Sequence, residues 1–69
     1  MEKMIAEFVK LKRKEEGLTQ KELADLVGVS FRTVQNMENA EKTRHTTTQK
    51  VLKHFGYQIV MKFEIEKVE

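Results

Sequence analysis

The sequence predicts a mostly α-helical fold, four short helices followed by one β-strand that pairs with the same strand of a second copy. Three observations predict it. Apolar residues recur at three- and four-residue steps as far as Phe55. Glycines and hydroxyl side chains punctuate that pattern where helices end and begin. After Gly56 the apolar period drops to two. The chain has 69 residues, enough for a single domain. A chain this short buries only about 60% of its unfolded surface, so a partner or a staple is expected. It contains no cysteine, which removes a disulfide framework, a cysteine-based zinc site and a thiol nucleophile. Hydrophobic residues make up 39% and charged ones 35%, a globular balance rather than a disordered one. No apolar run approaches the ~18 residues of a membrane span. Glu2, Lys3 and Glu7 interrupt the first apolar stretch, so it does not read as a signal peptide. A soluble, cytoplasmic protein is the expectation.

The first helix is expected over about Glu2–Glu16. Met1, Met4, Ile5, Phe8, Val9 and Leu11 form its apolar face, and Gly17 ends it. Thr19 with Glu22 makes a T-x-x-E capping box for a second helix, Gln20 to Val27, whose inner side is Leu23, Ala24 and Val27. Gly28 breaks it. Ser30 caps a third helix, Phe31 to about Asn39, with Val34 and Met37 inward. Ala40 to His45 reads as a loop. Thr46 or Thr47 starts a fourth helix through Phe55, with Val51, Leu52 and Phe55 on its apolar face. Tyr57, Ile59, Met61, Phe63 and Ile65 then alternate with mainly polar residues, which predicts a strand with one buried face. No other segment reads as β. An unpaired strand leaves its backbone groups unsatisfied, so pairing across a homodimer two-fold is the economical solution.

Gln20 to Asn39 has the spacing of a helix-turn-helix. Counting from Gln20, Ala24 is fifth, Gly28 ninth and Val34 fifteenth. The fifth position lies where two helices cross closely and only a small side chain fits. The ninth opens a tight turn, where a positive φ costs glycine little. The fifteenth is a core contact, filled by a β-branched residue. Residues 1–56 are therefore read as the helix-turn-helix domain, and 57–69 as a dimerisation strand and tail. Charge adds a second signal. Residues 1–56 carry eleven basic and eight acidic side chains, and between Lys42 and Lys53 there are four basic residues and no acid. Local basic excess suits a polyanion, although a solvated basic face would read the same way.

The run Gly17-Leu18-Thr19-Gln20-Lys21-Glu22-Leu23-Ala24, then Gly28-Val29-Ser30, then Met37-Glu38-Asn39, resembles the Xre-type helix-turn-helix regulators of phages and plasmids. The segment Gly56-Tyr57-Gln58-Ile59-Val60-Met61-Lys62 after the fourth helix is similar to the HipB-like antitoxins, in which a C-terminal strand pairs between subunits. The resemblance implies a λ-repressor-like domain, double-stranded DNA as the partner, a homodimer joined through Tyr57, Ile59, Met61, Phe63 and Ile65, and a repressor or antitoxin role with a cognate toxin as a further partner. It implies that Gln20 meets a phosphate with its side chain and backbone N–H. A helix N-terminus favours an anion there in any case.

Ser30, Phe31, Arg32, Thr33 and Asn36 occupy the front and exposed side of the third helix, which in this family meets base edges. Arg32 suits either guanine O6 and N7 or a phosphate; Asn36 suits adenine N6 and N7, or plain solvation. Thr33 and Gln35 are neighbours of either kind. Phage repressors often carry glutamine where this chain has Phe31, so Phe31 packs on thymine methyls or folds back as core. Lys42, Thr43 and Arg44 lie in the loop that usually meets the backbone, and Lys50 and Lys53 either extend that strip or face away. Arg13 and Glu38 resemble the family's ion pair between the first and third helices. His45 and His54 lack metal-ligand spacing, and the glycines form no phosphate loop, so neither an enzyme nor a metal or other cofactor is expected. The remaining rival is a protein-interaction module that binds no DNA.

Overall fold

A computed structural model describes residues 2–61 and 64–68. Four helices are followed by two strands: α1 (Glu2–Glu15), α2 (Gln20–Val27), α3 (Phe31–Glu38), α4 (His45–His54), β1 (Tyr57–Met61) and β2 (Glu64–Lys67). The architecture is that of a λ-repressor-like helix-turn-helix domain with a short antiparallel sheet after the last helix.

Local chemistry fixes the helix ends. Both halves of the capping box form: the Glu22 N–H donates to Thr19 Oγ1 at 3.0 Å, and the Thr19 N–H donates to Glu22 Oε1 at 2.8 Å. Gly28 ends α2 at φ 83°, in the left-handed region. Ser30 Oγ accepts the Thr33 N–H at 3.1 Å and starts α3. The end of α3 repeats the end of α1. In α1, the Gly17 and Leu18 N–H groups return to the carbonyls of Lys14 and Arg13. In α3, the Ala40 and Glu41 N–H groups return to Met37 and Asn36. The left-handed position is glycine in the first case and Ala40, at φ 61°, in the second.

The core draws one pair of residues from each helix: Ile5 and Val9, Leu23 and Ala24, Val34 and Met37, Val51 and Leu52. Burying each large aliphatic side chain contributes about 1.5–3 kcal/mol. Ala24 lies buried among them, as its place at the α2–α3 crossing requires. The α1 face is narrower than the sequence pattern suggested. Leu11 is 55% exposed and Met4 is exposed as well. Two residues beyond Val9, Leu11 is turned about 200° around the helix axis, away from the core. Helix α4 begins one residue before Thr46, and its N-cap, Arg44, makes no side-chain capping bond.

The tail corrects the expected single strand. Its mate is in the same chain: β1 and β2 pair antiparallel with Tyr57 opposite Lys67, Gln58 opposite Glu66, Ile59 opposite Ile65 and Met61 opposite Glu64, the register shifting between Ile59 and Met61. Alternation reports which face of a run is buried, not whether the run doubles back. Tyr57, Ile59 and Ile65 turn that face onto their own core and are half-buried there. Phe63 and Met1 lie outside the described residues. Tyr57 packs edge-on against Phe8 at 4.8 Å between centroids, with the Lys12 ammonium 5.1 Å from the Tyr57 ring. Gln49 of α4 clamps the hairpin. Its Oε1 accepts the Ile59 N–H at 2.9 Å and its Nε2 donates to the Ile59 carbonyl at 3.2 Å. One side-chain amide thereby gives Ile59 what a neighbouring strand would give.

Candidate nucleic-acid interface

Behind the exposed side of α3 lies a buried ion pair. Arg13 Nε donates to Glu38 Oε2 at 2.6 Å, and Arg13 Nη2 donates to Glu38 Oε1 at 2.9 Å, a two-bond fork. Arg13 Nη1 also donates to the Leu18 carbonyl at 2.8 Å. The Glu38 side chain is 1% exposed and that of Arg13 12%. Burial by itself would push the Glu38 carboxyl up. Hydrogen bonds from Arg13 and Gln20 outweigh it and hold the carboxyl below its usual range. The same bond holds the Arg13 guanidinium above its ordinary value. Removing one partner from such a pair would leave a buried charge uncompensated.

Gln20 belongs to this assembly, which the sequence reading missed. Its Nε2 donates to Glu38 Oε1 at 3.1 Å. One amide hydrogen is thus committed inward, and the side chain keeps one more donor for an outside anion. Through Glu38, α1, α2 and α3 share one carboxylate, so the pose of α3 is fixed from behind.

The front of α3 is open. Phe31 is 45% exposed, which resolves its two readings in favour of an outward side chain. Arg32 beside it is exposed, and no ion pair among the described residues holds it. Ser30 is largely occupied as a cap, its hydroxyl 2.8 Å from that of Thr33. Thr33 and Asn36 line a polar basin of about 360 Å³ together with Lys42, Thr43, Arg44 and Thr47. No acid lines it. Gln35 is half-buried and lies outside the basin.

Thr47 also borders an adjoining depression lined by His45, Lys50 and Lys53. Lys50 and Lys53 therefore continue the basic strip along α4, and Thr47 joins its two parts. The signal for this was the three-residue spacing of Thr47, Lys50 and Lys53, which puts them on one side of a helix. Cations beside an open helix front can hold phosphates, and the guanidinium and amide that α3 carries at Arg32 and Asn36 are of the kinds that pair with base edges. Among the described residues no group of His, Cys, Asp or Glu could hold a metal ion. Nor is any helix among them long and apolar enough to cross a membrane.

A protein-family model described as helix-turn-helix matches residues 9–60, three quarters of the chain, from the middle of α1 to β1. No curated protein matches the sequence.

Proposed function

This chain belongs to the Xre-type helix-turn-helix family of DNA-binding transcriptional regulators, and from that premise we propose that it is a cytoplasmic repressor that reads a pseudo-palindromic operator as a homodimer. One observation carries the reading. The outward side of α3 and the cationic loop after it share a basin that no acid among the described residues lines, so base readout and phosphate grip fall on one surface. Arg32 and Asn36 are the base-reading residues, with Phe31 against thymine methyls. Lys42, Thr43, Arg44 and the N-terminus of α2 at Gln20 meet phosphates. Ser30, Thr33 and Gln35 flank the reading residues.

The dimer reading is supported by the register of the tail. The pairs 57/67, 58/66 and 59/65 are all symmetric about Lys62. Two straightened tails, crossing antiparallel on a two-fold axis at Lys62, would make the same three pairs between subunits. Only Lys62 and Phe63 separate Met61 from Glu64, and neither is a residue that tight hairpin turns favour. Exchange between copies keeps the pairs and removes the need for a turn. Two α3 helices about 34 Å apart would then enter successive major grooves, with half-site centres about 10 bp apart.

Selection of bound duplexes from a random pool tests this. A palindromic consensus with that spacing is expected. In follow-up binding, Arg32→Ala should change the preferred bases, while Lys42→Ala should weaken all sequences alike and lower the salt slope by about 1. Affinity no better than ~10⁻⁴ M for every duplex would rule the reading out. For the dimer, light scattering should give two copies for the native chain and one for Lys62→Asn with Phe63→Gly, which supplies a good hairpin turn. A monomeric native chain would end the dimer proposal. An antitoxin role is the finer alternative, supported by the resemblance of the Gly56–Lys62 sequence to HipB-like antitoxins and by the exposed Leu11 and Leu26, which a toxin surface could cover.

A further inference from the structure

A groove of about 690 Å³ opens between the start of α1, the end of α3, the loop after it, the start of α4 and β1. That volume is typical of small-molecule sites, which span ~300–1,000 Å³. Its apolar wall is made by Ile5, Met37, Ile59 and Val60. Lys42 and Arg44 bring positive charge to its lining, His45 an imidazole, and Glu2 and Glu41 two carboxylates.

Two features mark where a ligand's polar end would go. Thr19 and Ser30 cap α2 and α3, but α4 has no capping side chain, so its first N–H groups lack a side-chain acceptor. Thr48, one turn into α4, lines the groove with 4% exposure, and its hydroxyl makes no hydrogen bond among the described residues. No side-chain nitrogen or oxygen among those residues is both sealed from solvent and unpartnered. The Thr48 hydroxyl, on the groove's lining, is therefore able to donate to a ligand there.

We propose that this groove binds a small amphiphilic monocarboxylate. The carboxylate takes the Thr48 hydroxyl, the free end of α4 and the Lys42–His45 side, where the helix dipole and the cations favour an anion. The aliphatic body lies on Ile5, Met37, Ile59 and Val60. Glu2 and Glu41 oppose a second negative charge, so the site selects a monoanion. Lys42, Thr43 and Arg44 line both this groove and the polar basin beside Asn36. Carboxylate and DNA phosphate thus compete for the same side chains, and the ligand releases DNA. This last step rests on the DNA-binding reading; the binding step does not.

Sodium octanoate is the probe, titrated below its micelle concentration into the full chain and followed by NMR, with acetate and octylammonium as comparisons. Saturable shifts are expected at Ile5, Met37, Thr48 and Ile59 with octanoate alone. Thr48→Val, which keeps the packing shape, should weaken octanoate roughly two- to tenfold, the worth of one hydrogen bond. Shifts elsewhere, none at millimolar octanoate, equal binding of octylammonium, or unchanged affinity in Thr48→Val would overturn the site. Octanoate should also displace a selected duplex. Groove binding that leaves duplex affinity unchanged overturns the regulatory step alone. A chain that takes octanoate but binds no duplex loses the DNA reading and keeps the site.

Discussion

The α2–α3 corner and the tail after Phe55 are held by opposite means. The corner is closed by local bonds at both helix starts and locked from behind by a carboxylate with 1% exposure. The tail rests on half-buried Tyr57, Ile59 and Ile65 and on one glutamine amide. The side proposed to read DNA is thus tightly braced, and the side proposed to meet a second copy is lightly fastened. Local opening should follow the same division, with the tail exchanging its amides before the corner does.

Glu38 is the point at which the corner should fail most completely. Glu38→Ala strands Arg13 and Gln20, and the loss should reach about 3–5 kcal/mol. That is a large share of the 5–15 kcal/mol typical of a whole domain. Urea unfolding measures it; a loss below 1 kcal/mol would show that the corner does not depend on the pair. Acid probes the same group without mutation. The Glu38 carboxyl titrates lower in the folded chain than in the unfolded one, so the unfolded chain binds its proton first as pH falls. Its stabilisation is complete above the ordinary carboxylate value of about 4.3 and is lost as pH drops from there through the lower folded value. Glu38→Gln should flatten that limb of the urea midpoint against pH.

Gln49→Ala should cost less, about 1–2 kcal/mol for two partly exposed hydrogen bonds. Its effect should be confined to the tail: faster amide exchange at Ile59, unchanged exchange at Val34. Equal acceleration at both would show that the two regions open together. The smallest effect is at the seam between them. Ala40→Gly relieves a left-handed alanine and should stabilise by about 1 kcal/mol, read as a higher urea midpoint.

The helices were legible because their signals are local. Thr19, Glu22, Gly28 and Ser30 act within four residues of themselves, and the structure uses all four as the sequence indicated. The tail was half legible. Alternation placed Tyr57, Ile59 and Ile65 on the inward face, where they are half-buried, but Lys62-Phe63 carries no turn chemistry, so nothing in the run marked where it doubles back. Gln49 could not be foreseen, since its partner lies ten residues away on another element. At the candidate site, exposure of Arg32 followed from the inward set Val34 and Met37, whereas that of Phe31 did not, because an apolar ring at a helix front fits either solvent or core. The meeting of Asn36 with Lys42–Arg44 did not, because it depends on the path of the loop that leaves α3 at Ala40.

The outward placement of Phe31 and Arg32 has an evolutionary consequence. Neither side chain contributes to the core, and the backbone beneath them is set by residues on the opposite side of the helix. Exchanging them should alter target preference while leaving the melting temperature nearly still. If Phe31 and Arg32 read bases as proposed, a lineage carrying this scaffold could drift to new target sequences through a few surface codons, whereas Glu38 and Ala24, buried behind them, are the positions where substitution should cost most.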